Sequence, residues 1–237
     1  MLSIITATFN CQNDIKILIN SLEGSRDSDF EWIVVDGAST DSTLSIVEKS
    51  TIKNKKIISE PDFGIYDALN KGVKMATGDY YIVLGADDII SRCAIGDFKS
   101  AINKSNADFY SARVKFGSCL LMPGSGSYWK RGGNAYVSSH AVGTCIKKSL
   151  HNEIGFYKNS YPNCADMYFI CKAVISFNKK IESLDFVAGI FGDKGLSSVN
   201  KMGSILDAYK ISIDLGGNYF LCTAILFYRL FLLGLCI

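Results

Sequence analysis

Two adjacent acids, Asp87 and Asp88, follow an apolar run at residues 80–84 and are the side chains best placed for chemistry. The run is typical of a buried strand. Such a strand would carry both acids to its carboxyl end, where open α/β sheets bind their ligands. Adjacent carboxylates repel each other, and Mg²⁺ or Mn²⁺ binds one or two carboxylates together with phosphate oxygens. The pair therefore predicts a cation site able to hold a nucleotide diphosphate; a solvated turn is the alternative.

Further acids stand at the ends of two other predicted strands. Asp36 follows the apolar residues 32–35, and Asp62 follows a short strand at residues 56–59. Asp is also common in turns and helix caps, so one such residue alone would carry little weight. Because parallel strands end at the same edge of a sheet, three successive strand ends predict one shared site.

These acids are positioned by a regular alternation of strands and helices in the first hundred residues. We expect strands at 2–6, 31–36, 56–59 and 80–84, and helices at 15–22, 42–49, 65–76 and 95–103, with Asp41 as the N-cap of the second helix. This alternation predicts an α/β fold with a mostly parallel central sheet and helices on both faces. Beyond residue 109 we expect strands at 109–116, 142–146 and 180–187, a helix at 167–175 and a Gly- and Ser-rich loop at 117–133.

The composition is that of a globular protein. The chain has 237 residues, is 48% hydrophobic and carries a net charge of +2, so nothing indicates a nucleic-acid-binding surface. Its eight cysteines form no Cys-x-x-Cys pair, which favours free thiols in a reducing cytosol. The first residues are typical of a strand rather than of a signal peptide.

The last nineteen residues, 219–237, are almost entirely apolar, with Arg229 as their one charge. Three interpretations remain open: a helix lying on a membrane surface, a helix packed on the domain or on a second subunit, and a membrane span. A span would bury Arg229 at a cost of about 2.5–3.5 kcal/mol. We divide the chain into two halves of one domain, at 1–110 and 111–215, and an apolar helix at 216–237.

An ordered set of motifs resembles the family 2 glycosyltransferases of the GT-A fold, more narrowly those that build bacterial O-antigen and other polysaccharide repeat units. The motifs cover about residues 1–200 in the family's order, and the ordered set is far more specific than any one of them. They are Thr8-Phe9-Asn10, Val34-Val35-Asp36-Gly37-Ala38-Ser39-Thr40-Asp41, Ser59-Glu60-Pro61-Asp62 through Asn70-Lys71-Gly72, Ala76-Thr77-Gly78-Asp79 through Asp88, Ser139-His140-Ala141, Cys164-Ala165-Asp166-Met167-Tyr168-Phe169 and Gly195-Leu196-Ser197-Ser198.

The resemblance implies a nucleotide-sugar site around the strand ends. In it Asp36 accepts a hydrogen bond from the base, Thr8 and Asn10 line the same pocket, and Asp62 lies beside the base or ribose. Asp87 faces the ribose or the metal. Asp88 binds a divalent cation, Mn²⁺ or Mg²⁺, that bridges the diphosphate.

The resemblance also assigns the half at 1–110 to the donor and the half at 111–215 to the acceptor. Asp166 is the expected base of an inverting, metal-dependent sugar transfer, with a helix cap as the alternative. His140 is expected to contact the acceptor or the diphosphate, and a structural role remains equally open for it. Apart from the resemblance, the Trp129 ring could stack on an acceptor sugar, with an ordinary mobile loop as the equal alternative. Lys194 could contact the diphosphate, although its segment departs from the family's pattern. The second histidine, His151, is expected at the surface.

The implied donor is a UDP-linked hexose or N-acetylhexosamine. The implied acceptor is a saccharide on undecaprenyl diphosphate at the cytoplasmic face of the cell membrane, and the oligomeric state stays open. The rival functions are a nucleotide-sugar pyrophosphorylase, although no glycine stands in residues 8–13, and a non-catalytic sugar-nucleotide-binding relative. A dehydrogenase is excluded because no Gly-x-Gly-x-x-Gly follows a strand.

Overall fold

The computed structural model describes residues 1–124, 135–193 and 200–235. Within these ranges the chain forms a mixed α/β fold around one sheet, which follows the path β3-β2-β1-β4-β8-β6-β9-β5, with β7 paired to β6. The predicted residues Trp129 and Lys194 lie outside the described ranges.

The first half of the sheet is parallel, as the alternation predicts. Its strands are β1 (Leu2–Thr8), β2 (Phe30–Asp36), β3 (Lys55–Ser59) and β4 (Tyr80–Val83), connected by helices α1 (Ile15–Glu23), α2 (Thr43–Lys49) and α3 (Ile65–Met75). Strand β1 lies between β2 and β4, and β3 pairs with the outer side of β2, all in parallel. Since β2 is buried along its whole length, its continuous apolar run fits a strand covered on both faces.

The second half of the sheet is mixed. It contains β5 (Ile89–Ile90), α4 (Ala94–Lys104), β6 (Phe109–Phe116), β7 (Cys119–Leu121), β8 (Thr144–Lys147), α5 (Leu150–Ile154), α6 (Ala165–Phe177) and β9 (Ile181–Ile190). Strand β8 runs antiparallel to both β4 and β6, while β9 is parallel to β6. In place of the start of the loop expected at 117–133, strands β6 and β7 form a hairpin.

Alternating side chains of the sheet feed two separate cores. Ile4, Val34 and Ile82 pack on one face with α1, α2 and α4. Their chain neighbours, among them Ile5 and Val35, pack on the other face with α3, α5, α6 and α7 (Lys201–Asp214). The two-residue period of a strand produces this division, so helices cover both faces as predicted.

Helix α2 begins one residue later than expected. Its N-cap is Ser42 rather than Asp41. Asp41 still stabilises this end, because its Oδ1 accepts a 2.9 Å hydrogen bond from the Thr43 amide.

The last helix, α8 (Tyr219–Leu235), packs on α7, and its Cys222 is buried. Large aromatic side chains on its other sides are open to solvent, and Phe220 is 82% exposed, with Phe227 and Phe231 also largely exposed. Over the described part of the chain, no helix combines the length and hydropathy that crossing a bilayer requires.

The amino-terminal edge of the parallel strands is fastened by a buried acid, Glu31. Its carboxylate accepts hydrogen bonds from the Ser3 hydroxyl (2.5 Å) and the Gly78 amide (3.1 Å), and pairs with Lys56 at 2.8 Å. This cluster ties β1, β2, β3 and the start of β4 together at the end opposite the candidate site.

Candidate active site at the carboxyl edge of the parallel strands

The carboxyl ends of β1, β2 and β3 meet in register. Thr8 lies opposite Asp36, and Asp36 lies opposite Ser59. Strand β4 runs parallel beside β1 and ends with Val83 opposite Ile5, where the Leu84 amide donates to the Ile5 carbonyl at 3.0 Å, so the residues that follow β4 continue toward the same edge. The acids that follow these strands are therefore gathered at one edge, as predicted.

Asp36 is fully buried and accepts four hydrogen bonds. The donors are the hydroxyls of Thr8 (3.0 Å), Ser39 (2.5 Å) and Ser59 (2.8 Å) and the Ser39 amide (2.8 Å). A carboxylate has about four lone-pair sites, so these donors occupy all of them. Asp36 thus joins the ends of three strands. A ligand that donates a hydrogen bond to Asp36 must displace one of these hydroxyls.

Asn10 shapes the loop beside Asp36. It has a left-handed backbone with φ of 46°, a conformation that Asn tolerates better than most residues. Its side-chain oxygen accepts a hydrogen bond from the Thr40 backbone amide at 2.9 Å, and its own backbone amide donates to Ser39 Oγ at 2.8 Å. Asn10 is exposed, so it lines the rim of the edge.

Asp62 lies across from the glycine that follows Asp36. Its Oδ1 accepts from the Gly64 amide at 2.8 Å. Its Oδ2 lies where a side chain on Gly37 would point, only 2.6 Å from the position of such a Cβ, with the exposed Phe9 ring beside it. Gly37 is thus needed for this close approach, and the structure brings Asp36, Asp62 and Phe9 together.

Asp88 is 1% exposed and is held by backbone amides on both sides. Gly85 donates to its Oδ2 at 2.5 Å and Gly192 donates to its Oδ1 at 2.8 Å. Burial raises the pKa of Asp88 to about 6; the two amides oppose this and the nearby Asp87 charge adds to it. A site that disfavours its own negative charge in this way suits a bound cation.

Gly192, which follows β9, was not among the predicted site residues. A Cβ there would lie 2.0 Å from Oδ2 of Asp87, so the absent side chain leaves the space that the Asp87 carboxylate occupies. Its place just before the motif at 195–198 is the one sequence feature that could have indicated a site residue.

The donor set at Asp87 and Asp88 fits Mg²⁺ or Mn²⁺, ions that take one or two carboxylates and complete their shell with phosphate oxygens and water. Among the described residues no three His, Cys, Asp or Glu side chains lie close enough to hold an ion together. The two acids would therefore hold an ion jointly with a diphosphate.

Asp166 lies in the first turn of α6, whose N-cap is Cys164, so it is not the cap of its helix. The Tyr66 hydroxyl, from the first turn of α3, donates to Asp166 Oδ1 at 2.6 Å. His140 Nδ1 lies 3.5 Å from Asp166 Oδ2, and the Asp166 side chain is 25% exposed. A partly open carboxylate that one hydroxyl holds in place, with an imidazole beside it, can accept a proton from a bound hydroxyl.

His140 is connected to the second histidine through two tyrosine hydroxyls. His140 Nε2 lies 2.9 Å from the Tyr157 hydroxyl, which lies 2.7 Å from the Tyr81 hydroxyl, and Tyr81 lies 2.7 Å from His151 Nε2. The prediction that His151 is a surface residue is wrong: it is 3% exposed and stacks on Phe169. The apolar environment of α6 buries it, and the sequence gives no sign of this contact.

The acceptor-side residues are attached to the end of β4. Val142 donates to the Val83 carbonyl at 2.9 Å, and Ala141 pairs with Val83 in an isolated bridge. His140, next to Ala141, therefore lies at the strand end from which Asp87 and Asp88 follow. Through His140, Asp166 belongs to the same edge.

A model of the family described as "Glycosyl transferase family 2" matches residues 3–133, more than half of the chain. A protein of Mycobacterium bovis (strain BCG / Pasteur 1173P2) named "PGL/p-HBAD biosynthesis glycosyltransferase" is 41% identical over 91 residues, 37% of this chain and 36% of the relative. The poly(ribitol-phosphate) beta-N-acetylglucosaminyltransferase TarS of Staphylococcus aureus (strain Mu50 / ATCC 700699) is 31% identical over 118 residues, 48% of this chain and 21% of TarS. The matches thus span at most about a third of these relatives.

Solved structures share the fold. The crystal structure of S. aureus TarS superposes with a TM-score of 0.72 at 21% identity, covering 92% of this chain and 40% of TarS. TarS residues 1–349 have been solved with UDP-GlcNAc, with a TM-score of 0.69, 21% identity, and coverage of 97% and 71%. The mannosyltransferase PcManGT from Pyrobaculum calidifontis, solved with GDP-Man and Mn²⁺, gives a TM-score of 0.70 at 18% identity, covering 95% of this chain and 67% of that one.

Proposed function

We propose that this chain, which belongs to glycosyl transferase family 2, moves a hexose or N-acetylhexosamine from a UDP-linked sugar to a lipid-linked oligosaccharide, with inversion at the anomeric carbon. The observation that carries the proposal is the arrangement around the end of β4. A buried acid pair, Asp87 and Asp88, follows this strand, and a partly open acid, Asp166, is attached to it through His140. The buried pair can hold a cation against a leaving diphosphate, and the open acid can accept the proton of an attacking hydroxyl.

On the acceptor side, Asp166 is the proposed base. Its Oδ2 takes the proton of the acceptor hydroxyl while that oxygen attacks the anomeric carbon, and the bond to the diphosphate breaks with its electron pair leaving on the phosphate oxygen. One base on the face opposite the leaving group gives inversion without a covalent intermediate. The Tyr66 hydroxyl holds Asp166 through the other oxygen, which leaves Oδ2 for this role.

On the donor side, Asp36, Thr8, Asn10, Asp62 and Asp87 are the proposed contacts of the nucleotide. The uracil imide is a donor, so it can replace the Ser39 or Ser59 hydroxyl on Asp36. Asn10 and Asp62 line the rim on either side of Gly37. The UDP-GlcNAc bound to TarS supports a uridine donor.

Asp88 is the proposed ligand of a divalent cation, Mn²⁺ or Mg²⁺, with Asp87 nearby. When bound, such an ion neutralises the negative charge that grows on the departing diphosphate. The buried carboxylate and its amide donors keep the ligand fixed before the ion arrives. PcManGT, solved with Mn²⁺, supports this choice of ion.

The proposed acceptor is a saccharide on undecaprenyl diphosphate in bacterial surface polysaccharide synthesis, of the O-antigen type that the sequence motifs resemble. The proposed location is the inner face of the cell membrane, where the exposed aromatic side chains of α8 would contact lipid. Residues 1–110 would bind the donor and residues 111–215 the acceptor, which agrees with the positions of His140, Tyr157 and Asp166. Trp129 and Lys194 stay proposed acceptor or diphosphate contacts.

The direct test incubates the protein with UDP-, GDP- and dTDP-linked sugars, Mn²⁺ and a short lipid-diphosphate saccharide. We expect one UDP sugar to give a glycosidic product of inverted anomeric configuration, identified by mass and NMR. Release of nucleoside triphosphate when inorganic diphosphate is added would indicate a pyrophosphorylase instead. Binding of UDP without any product from the panel would favour a non-catalytic relative.

A further inference from the structure

A chain of hydrogen-bonding groups runs from the backbone carbonyl of Gly155 to the carboxylate of Asp166. Four side chains lie between these ends, in the order His151, Tyr81, Tyr157 and His140. The five separations along the chain are 3.2, 2.7, 2.7, 2.9 and 3.5 Å. Tyr81 and Tyr157 are buried, so the middle of the chain is shielded from water.

Each of the five contacts along this hydrogen-bonded chain is one link, and the chain has one hydrogen-bonding proton fewer than it has links. A neutral histidine and a neutral tyrosine each carry one hydrogen-bonding proton, so the four side chains supply four in total. Both ends, a carbonyl and an ionised carboxylate, can only accept. One of the five links must therefore lack a proton.

The distances indicate which link this is. The three inner separations and the 3.2 Å contact at Gly155 lie within the normal range of hydrogen bonds, whereas 3.5 Å at Asp166 lies outside it. Each proton then points away from Asp166, so that His151 Nδ1–H donates to Gly155, Tyr81 to His151, Tyr157 to Tyr81, and His140 Nε2–H to Tyr157. His140 Nδ1 is left without hydrogen and faces Asp166 Oδ2.

We propose that His140 is a positioning residue that takes up, at Nδ1, the proton that Asp166 removes from the acceptor hydroxyl. This inference rests on the proposed function of Asp166. The O–H bond of the acceptor breaks, its oxygen bonds to the anomeric carbon, and the bond from that carbon to the diphosphate breaks with its electron pair. The proton fills the empty link and produces an imidazolium–carboxylate pair, and it leaves to solvent after the products dissociate.

The surroundings of His140 suit this role. Burial lowers the pKa of His140 while the charge of Asp166 opposes the shift, which keeps the ring neutral before reaction. His151, at the far end, has its pKa lowered to about 4, mainly by burial, so the incoming proton stays beside Asp166. Among the described residues, Tyr66 and Tyr157 hydrogen-bond to this pair, and the thiols of Cys164 and Cys171 lie close enough for the charge of Asp166 to raise their pKa.

The first test is nitrogen-15 NMR of the imidazole rings, which needs neither donor nor acceptor. The protein has two histidines, so two imidazole ring systems are observed. The variant His140→Gln assigns them by removing one. We expect hydrogen on Nε2 of His140 and on Nδ1 of His151 at pH 7.5. Hydrogen on Nδ1 of His140, donated to Asp166, would overturn the proposal.

The second test changes a residue that does not contact Asp166. In Tyr81→Phe only two links remain between Tyr157 and Asp166, and two protons fill them, so His140 should move its hydrogen to Nδ1. We expect kcat to fall about tenfold, part of the 10²–10⁴ that a general base contributes, with KM for the donor unchanged. Tyr80→Phe is the matched control, since its hydroxyl donates to the Ala107 carbonyl away from the chain.

The outcomes separate this inference from the proposed function. If the wild-type protein transfers sugar but Tyr81→Phe keeps its full kcat, the role of His140 is wrong while the function stands. If no sugar is transferred, the tautomers measured by NMR still decide the arrangement of protons.

Discussion

At the scale of single residues, one hydroxyl holds the proposed base in place. Tyr66 donates to Asp166 at 2.6 Å, a bond to a charged group that contributes about 1.5–3 kcal/mol. We predict that Tyr66→Phe lowers kcat about tenfold, because the carboxylate gains freedom to rotate, and leaves the Kd for UDP unchanged. Steady-state kinetics and calorimetry measure the two quantities. Tyr110→Phe, a buried tyrosine bonded to the Ser105 carbonyl, is the control. Equal losses in both variants would argue against the role of Tyr66.

Gly192 matters for the site because it has no side chain, which leaves room for the Asp87 carboxylate. Gly192→Ala would place a Cβ 2.0 Å from the Asp87 carboxylate and force it to move. We predict at least a tenfold weaker apparent affinity for Mn²⁺ in the presence of UDP, measured by titrating activity with the metal. Gly96→Ala on α4, where the nearest atom would lie at 3.8 Å, should leave this affinity unchanged. Unchanged Mn²⁺ affinity in Gly192→Ala would refute the assignment of this acid pair.

The acids of the site could be predicted because each stands where a strand ends or where a motif of the family places it. The structure adds the hydroxyls of Tyr66, Tyr81 and Tyr157, which come from α3, β4 and the segment after α5. No spacing in the sequence indicates that these side chains meet. His151 was misplaced for the same reason, since only packing against Phe169 reveals that it is buried.

At the scale of elements, the parallel strands depend on the Glu31 cluster at the edge opposite the site. Burial alone would raise the pKa of Glu31, but hydrogen bonds from Lys56, Ser3 and the backbone amides of Thr77 and Gly78 outweigh it and lower the pKa from 4.5 to about 2. Because the folded-state pKa lies below the unfolded one, the stabilisation is present above pH 4.5 and is lost as the pH falls toward 2.

We therefore predict that Glu31→Gln lowers the unfolding free energy at pH 7 by on the order of 2 kcal/mol, below the full linkage value because Lys56 is partly exposed. The difference from wild type should shrink below pH 4.5. Urea unfolding at several pH values measures it, with the exposed Glu48→Gln as control. A difference that does not change with pH would mean that this cluster is not the cause.

The order of elements in the first half was predictable because short crossovers leave a parallel sheet few alternatives. The second half was not, since β8 enters between β4 and β6 in the antiparallel direction and β9 returns beside β6 from far along the chain. Helix α7 was not predicted either, although it contributes Ile211 to the core.

Helix α8 is the element that the proposed location depends on. We predict that Phe227→Glu together with Phe231→Glu reduces sedimentation with phosphatidylglycerol vesicles several-fold, because both rings are exposed and the new charges repel the lipid. Ile17→Glu, at an apolar position on α1 that is 40% exposed against 66% and 65% for the two phenylalanines, should have little effect. Equal binding by both proteins would remove membrane contact from the account.

At the scale of the whole molecule, two halves of one sheet supply different parts of the site. The parallel half brings Asp36, Asp62, Asp87 and Asp88 to its carboxyl edge, and the mixed half attaches His140 and Asp166 to the end of β4. The strand end at Val83 is thus where the proposed donor and acceptor halves meet.

The most direct measurement compares sugar transfer by the wild type and Asp166→Asn at saturating UDP sugar, with the Kd for UDP determined for both. We predict unchanged UDP binding and transfer at least about 100-fold slower, because Asn cannot accept the acceptor proton. Asp97→Asn, which alters an acid in the first turn of α4 away from the site, should transfer at the wild-type rate. Wild-type transfer by Asp166→Asn would contradict the account.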